Sequence, residues 1–158
     1  MALELRYAAR SDVGLVREGN EDSGYAGPAL LMVADGMGGH AAGELASAIA
    51  VATVADLDVH PPQEGDVLSA LGDSVGDVGD AISEVIAIDP DLTGIGTTVT
   101  GVYWLGTRIA IVHIGDSRAY LLRDGELAQL THDHTYVQTL VDAGRITEEE
   151  ASIPPRGS

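Results

Sequence analysis

The change in hydrophobic period along the chain is the feature that most limits its fold. Between residues 67 and 86 apolar residues recur every three or four positions, which predicts one face of an amphipathic helix. From Gly96 onward apolar and polar residues alternate in short runs separated by glycine-containing turns, a pattern typical of antiparallel strands. Together with the strands and helix read from the first half, this order predicts a layered α+β domain.

The remaining segments fit the same class. Residues 3–9 alternate in polarity and predict a half-buried strand, and residues 29–35 form an apolar run of strand length. An Ala-rich stretch over residues 42–54 predicts a buried helix. Residues 136–144 and 147–151 predict two short helices near the end of the sequence.

Three glycines interrupt the helix that the period predicts over residues 67–86. Gly72, Gly76 and Gly79 each cost about 1 kcal/mol relative to alanine in a helix. We expect them to allow another helix to approach closely.

The composition excludes several kinds of protein. The 158 residues include no cysteine, so a disulfide framework, a thiolate metal site and a cysteine nucleophile are excluded. Eight Lys and Arg against 25 Asp and Glu give a net charge of −17, which argues against nucleic acid or an anionic membrane surface as partner. The apolar stretch over residues 45–57 is interrupted by polar residues, and Glu4 and Arg6 stand where a signal peptide would be apolar. We therefore expect a cytoplasmic domain with no membrane partner.

The strongest local motif is VADGMGGH, at residues 33–40. A strand delivers the carboxylate of Asp35 into a glycine-rich loop, where backbone can approach a ligand and an exposed backbone carbonyl can coordinate a hard cation. The same residues could form a simple Asp-Gly turn. They also fit the dinucleotide pattern G-x-G-x-x-[GA], with Asp56 twenty residues beyond Gly36 as the ribose-binding acid, although Asp35 would repel a pyrophosphate.

Three weaker motifs have both a structural and a functional interpretation. Arg17 precedes the acids Glu21 and Asp22, so it is either a surface ion pair or a phosphate ligand beside metal-binding acids. The sequence Gly-Asp-Ser-Arg at 115–118 is typical of a hairpin turn, and Thr-His-Asp-His at 131–134 is typical of a solvated loop. Because carboxylates dominate these motifs, any bound metal is expected to be Mn²⁺ or Mg²⁺.

Taken in order, five motifs resemble those of bacterial metal-dependent Ser/Thr protein phosphatases of the 2C class, over residues 6 to about 150. They are R-x-x-N-E-D (17–22), V-A-D-G-M-G-G-H (33–40), G-T-T (96–98), G-D-S-R (115–118) and L-T-x-D-H (130–134). The resemblance implies a four-layer α-β-β-α sandwich of two antiparallel sheets flanked by helices. It also implies two or three bound Mn²⁺ or Mg²⁺ ions. The substrates that it implies are phosphorylated proteins that are targets of Ser/Thr kinases.

The resemblance also implies a role for each site residue. The expected metal ligands are Glu21, Asp35, Gly36 through its carbonyl, and Asp116. Arg17 is expected to hold the substrate phosphate, and Asp22 to act beside the metal ligands. The implied reaction is hydrolysis of phosphoserine or phosphothreonine by a metal-bridging hydroxide, without a phosphoenzyme.

The sequence departs from the family pattern after residue 116. Two later aspartates that complete the metal site in the family have no counterpart here, and Met37 replaces a histidine found in some members. We expect residues 1–152 to be the N-terminal part of the domain and residues 153–158 to be a non-native or divergent tail. We therefore expect weak Mn²⁺ binding and slow turnover, with self-association through open sheet edges. The alternative is a catalytically incomplete interaction domain.

Overall fold

The computed structural model describes residues 3–132, 136–142 and 146–149, and gives the last two ranges and His40 as backbone only. The described part contains nine strands, two α-helices and two three-residue 3-10 helices. The α-helices are α1 (His40–Val59) and α2 (Val67–Ile88), each longer than its predicted range. The strands are β1 (Asp22–Ala26), β2 (Leu30–Met37), β3 (Gly96–Thr97), β4 (Val99–Trp104), β5 (Arg108–Ile114), β6 (Tyr120–Arg123), β7 (Glu126–Gln129), β8 (Tyr136–Asp142) and β9 (Ile146–Glu149).

The strands form two antiparallel sheets, which confirms the predicted α+β class. Seven strands form the larger sheet in the order β1-β2-β4-β5-β8-β9, with β3 paired to β2, and β6 and β7 form a separate hairpin. The hairpin turns through Asp124 and Gly125 with φ of 52° and 79°, as an Asp-Gly pair favours. The main core lies between one face of the larger sheet and the two helices. It consists of Leu30, Met32, Ala34, Ala50, Val54, Val67, Leu71, Val78, Val99, Tyr103, Ala110 and Val112.

The opposite face of the larger sheet carries the candidate site. Alternation along β2 turns Leu31, Val33 and Asp35 away from the helices, and a cavity of about 760 Å³ lies against this face. Ile111 is buried on the same side, with Leu130 from beyond the hairpin packed against it. The hairpin therefore begins a second layer.

Residues 115–119 carry the chain out of the larger sheet. The hairpin predicted at residues 115–118 is wrong, because β5 pairs with β4 and β8, and β6 pairs with β7. Gly115 begins this crossing with a φ of +98°. Asp116 therefore lies on the segment that connects the two sheets.

The predicted helix over residues 136–144 is wrong where the structure describes it, because Tyr136–Asp142 forms β8 beside β5. The helix predicted over 147–151 is likewise wrong over residues 147–149, where the chain forms β9 and pairs with β8. β-Branched residues alternate along β8, and pairing with β5 satisfies backbone groups that an open edge would leave free. Residues 143–145 and 150–158, including the predicted tail, lie outside the described residues.

Two other sequence interpretations are also wrong. Residues 3–9 form no strand in the described part of the chain. The dinucleotide alternative requires parallel strands, whereas the three described partners of β2, namely β1, β3 and β4, all run antiparallel to it. Asp56 lies inside α1 and its carboxylate is 2.9 Å from His60 Nδ1, so it does not end a second strand. None of the described helices is both long and apolar enough to pass through a lipid bilayer.

Candidate metal and phosphate site

Two carboxylates meet where β1 begins and β2 ends. Asp22 and Asp35 are directly opposite each other in the register of these strands. Directly paired residues of an antiparallel pair project from the same face of the sheet. Both residues line the cavity on the face away from the helices.

The pKa of the Asp35 carboxyl depends on the charged groups that surround it. Burial raises the pKa of the Asp35 carboxyl, and the negative charge of Asp22, a hydrogen bond with Asp22 and the charge of Asp116 raise this pKa further. The positive charge of Arg17 lowers it. The fold therefore brings together three of the predicted acids and the predicted phosphate-binding arginine, with negative charge in excess.

The carboxylate of Glu21 lies beside the first turn of α1. A β-carbon at Gly43, in the first turn of α1, would lie 2.7 Å from Glu21 Oε2. The Glu21 carbonyl accepts hydrogen bonds from the Gly36 amide at 3.2 Å and from Ser47 Oγ at 2.7 Å. The side chain thus lies against the N-terminal turn of α1, where the helix dipole favours negative charge.

Gly36 occupies a position where only glycine fits. A β-carbon there would collide with the carbonyl oxygen of Gly43 and would lie 3.0 Å from the carbonyl oxygen of Glu21. The two glycines after Met37, Gly38 and Gly39, have φ of 124° and 84° and turn the chain from β2 into α1. The glycines of the motif thus serve close packing and the turn.

Two hydroxyl-bearing residues near the site were assigned no individual role from the sequence. Ser47 is fully buried and also bonds to Ser23 Oγ at 2.8 Å, so α1 fixes the chain just before and within β1. Its signal in the sequence is a polar residue on the buried side of an Ala-rich helix. Thr98 bonds to both Asp35 and Ser117. It belongs to the G-T-T motif, but the motif alone does not reveal these contacts.

The last motif is only partly described. Thr131 is fully buried, and its hydroxyl accepts a hydrogen bond from the Ala119 amide at 3.1 Å. His132 is exposed, and Asp133 and His134 lie outside the described residues. Thr131 therefore holds the hairpin closed, since Ala119 immediately precedes β6.

The donor chemistry fits a hard divalent cation. The converging groups are carboxylates, which Mg²⁺ and Mn²⁺ prefer, and a cation would offset their mutual repulsion. Among the described residues, no three acidic, cysteine or histidine groups lie close enough together to hold an ion by themselves. The described part of the chain supplies the pair Asp22 and Asp35, with Asp116 near enough to act through its charge.

The sequence matches the family model described as "Protein phosphatase 2C" over residues 9–157. The chain belongs to the protein phosphatase 2C family. Among curated relatives, it is 58% identical over 158 residues to the serine/threonine protein phosphatase PstP of Mycobacterium tuberculosis, covering all of this chain and 30% of that protein. It is 35% identical to the serine/threonine phosphatase stp of Listeria welshimeri, covering 93% of this chain and 62% of that one.

Solved structures agree with this assignment. A crystal structure of M. tuberculosis PstP superposes with a TM-score of 0.78 at 56% identity, covering 83% of this chain and 55% of that chain. A second PstP structure, the catalytic domain in complex with two manganese ions, has a TM-score of 0.76 at 56% identity and covers 81% and 55%. The chain thus spans a little over half of the solved PstP chains and less than a third of curated PstP.

Proposed function

We propose that this chain belongs to a metal-dependent phosphatase that hydrolyses phosphoserine and phosphothreonine in proteins. The observation that carries the proposal is the pairing of Asp22 with Asp35 on β1 and β2 beside the cavity, with Asp116 and Arg17 near enough to act on Asp35 through their charges. Its membership of the 2C family and the names of its bacterial relatives support the same activity.

The acids form the proposed cation site. Asp35 is central because Asp22 and Asp116 both act on it, and Gly36 and Glu21 complete the set that the resemblance implies. When bound there, two or three Mn²⁺ or Mg²⁺ ions would neutralise phosphate charge and lower the pKa of the attacking water, the metal-bridging hydroxide of the family mechanism. The PstP catalytic domain was solved with two manganese ions.

We propose that Arg17 binds the substrate phosphate and that Asp22 supports the metal ligands. Arg17 is exposed, and its guanidinium presents a planar fork that can bond two phosphate oxygens while its charge favours the anion. Asp22 is paired with Asp35 across β1 and β2, and we propose that it acts beside the metal ligands. The substrates are expected to be phosphorylated proteins on which Ser/Thr kinases act, in the cytoplasm.

The decisive experiment is Mn²⁺-dependent hydrolysis of p-nitrophenyl phosphate and of a phosphothreonine peptide by this chain. Asp35→Asn is expected to abolish turnover, whereas Asp77→Asn is the matched control because Asp77 is exposed on α2. Arg17→Ala is expected to raise KM for the peptide more than it lowers kcat. Turnover that needs no divalent cation, or that survives in Asp35→Asn, contradicts the proposal.

One observation favours a second candidate, a catalytically incomplete interaction domain. The described residues contain no complete group of three metal ligands, and the chain spans 55% of the solved PstP chain. The two candidates separate when the complementary part of the PstP catalytic domain is added in trans. A phosphatase segment is expected to gain Mn²⁺-dependent turnover, whereas an interaction domain would gain none.

We further propose that residues 1–152 are phosphatase domain and that the edge of β1 supports self-association. β1 has β2 on one side and, among the described strands, none on the other. Light scattering across a concentration series tests this expectation. A constant monomer mass would contradict it.

A further inference from the structure

Thr98 links the segments that carry two predicted acids, Asp35 and Asp116, from different parts of the fold. It sits between β3 and β4, is 4% exposed and is hydrogen-bonded to β2 through Asp35. The Thr98 amide donates to the Asp35 carbonyl at 2.9 Å, and the Asp35 amide donates to Thr98 Oγ1 at 2.9 Å. The side chain of Thr98 thus takes part in the bonding that fixes the backbone of Asp35.

The same side chain holds the turn that carries Asp116. Thr98 Oγ1 lies 2.6 Å from Ser117 Oγ, in a hydrogen bond between the two hydroxyls. The Thr98 methyl carbon lies 2.7 Å from the position that a β-carbon of Gly115 would take. Thr98 therefore contacts the residues on both sides of Asp116.

The contacts of Thr98 hold together two segments whose carboxylates repel each other. Asp35 and Asp116 are like charges, and the charge of Asp116 contributes to the raised pKa of Asp35. Asp116 is exposed and lies on a segment that leaves the larger sheet. The part-buried bond between Thr98 and Ser117 ties the neighbour of Asp116 to the residue that is bonded to the Asp35 backbone.

We propose that Thr98 is a positioning residue that, with Ser117, sets the distance between Asp35 and Asp116 for divalent cation binding. The inference rests on the proposed function. One hydroxyl oxygen serves both contacts, accepting the Asp35 amide proton and sharing a proton with Ser117. Residues that orient metal ligands in this way affect metal affinity without touching the ion.

The test measures Mn²⁺ affinity of this chain by isothermal titration calorimetry, which needs no turnover. Thr98→Val keeps the shape and removes the hydroxyl, and it is expected to weaken Mn²⁺ binding about 10-fold or more. Thr98→Ser keeps the hydroxyl and is expected to stay within about threefold of wild type. Ser117→Ala removes the other half of the bond at a half-buried site and provides a second variant if Thr98→Val folds poorly. The Thr98→Val/Ser117→Ala double variant should be no weaker than Thr98→Val alone.

Thr100→Val is the matched control. Thr100 is also 4% exposed, and its hydroxyl bonds to His113 Nδ1 at 2.8 Å. It is expected to lose stability to a similar degree while keeping the wild-type Mn²⁺ affinity. Amide exchange at Asp35 is expected to rise in Thr98→Val and not in Thr100→Val, because only the first loses the acceptor of that amide.

The outcomes separate the inference from the proposed function. Wild-type affinity in both Thr98→Val and Ser117→Ala, while Asp35→Asn abolishes binding, overturns the positioning role alone. An equal loss in Thr100→Val also overturns it, since the effect would follow stability. If the wild-type chain binds no Mn²⁺, the proposed function and the positioning role both fail.

Discussion

Glycines occupy two regions of this molecule for opposite reasons. At the junction of β2 and α1, Gly36 and Gly43 are buried, and a β-carbon on Gly36 would collide with the Gly43 carbonyl. On α2, Gly76 and Gly79 are exposed, and among the described residues nothing lies within 4 Å of a β-carbon placed on either. Within the described part of the chain, the expectation that these helix glycines admit another helix is therefore not met at either position.

The difference shows what glycine supplies in each region. At the site it removes volume, so that the first turn of α1 lies directly on the end of β2 and beside Glu21. On α2 the missing β-carbon makes room for no described neighbour, so glycine there carries only its entropic cost in a helix. Substitution by alanine should therefore have opposite signs in the two regions.

The largest effect is expected for Gly36→Ala. Its new methyl group meets backbone, which cannot rotate away, so the free energy of unfolding should fall by about 3 kcal/mol. Urea denaturation measures the change. Gly24→Ala in β1 is the matched control, because its β-carbon would find a nearest atom only at 3.6 Å. Equal midpoints for the two variants would contradict the packing argument.

An opposite change is expected on α2. Gly76→Ala and Gly79→Ala should each raise the free energy of unfolding by about 1 kcal/mol, since alanine loses less chain entropy and meets no neighbour. Thermal melts of the single and double variants measure this gain. A loss of stability in either would show that another part of the chain packs on this face.

A smaller effect is expected for Gly43→Ala. The new β-carbon meets the end of the Glu21 side chain, which can swing aside, and the helix gains from alanine. The two terms should leave stability within about 1 kcal/mol of wild type. In a Glu21→Ala background the contact is absent, so Gly43→Ala should then give the full helix gain. If the two substitutions change the free energy of unfolding additively, the proposed contact between residues 21 and 43 is contradicted.

The smallest effect concerns Tyr25, whose hydroxyl lies 2.6 Å from Asp58 Oδ2 beside another packed glycine, Gly27. The hydrogen bond to Asp58, with burial and the charge of Asp58, raises the pKa of Tyr25. Because the folded pKa lies above the unfolded one, this contribution is present below the unfolded pKa of about 10 and is lost as pH rises through the folded pKa.

Tyr25→Phe should therefore lower stability near neutral pH and flatten its decline at alkaline pH. Urea midpoints between pH 7 and 11 measure both effects. Tyr120→Phe, on the exposed face of β6, is the control. An alkaline decline as steep in Tyr25→Phe as in wild type would contradict the assignment.

Much of the fold follows from local pattern. The apolar run before Asp35 predicts β2, the spacing of three and four predicts α2, and Asp124-Gly125 predicts the β6–β7 turn. These elements are decided by periodicity and turn chemistry within a few residues. The family membership that the five motifs predict is confirmed by the match over residues 9–157. The individual roles of Arg17, Glu21, Asp22, Asp35, Gly36 and Asp116 stay predictions.

Other features depend on neighbours that are distant in sequence. β8 forms beside β5 although its residues also fit a helix, because an open strand edge gains hydrogen bonds there. Thr98 is hydrogen-bonded to Asp35 and Ser117, which are 63 and 19 residues away in the sequence. No local period predicts such contacts.

The sequence by itself determined the α+β class, the positions of the longer elements and the motifs that identify the family. Those depend on side-chain period, backbone preference and residue type, which act locally. Only the tertiary structure decided which glycines are packed, that Glu21 lies against α1 while Asp22 meets Asp35, and that Thr98 joins two acids. Collision, charge repulsion and hydrogen bonding act through space, so they are fixed only when β2, α1 and the turn at Asp116 come together.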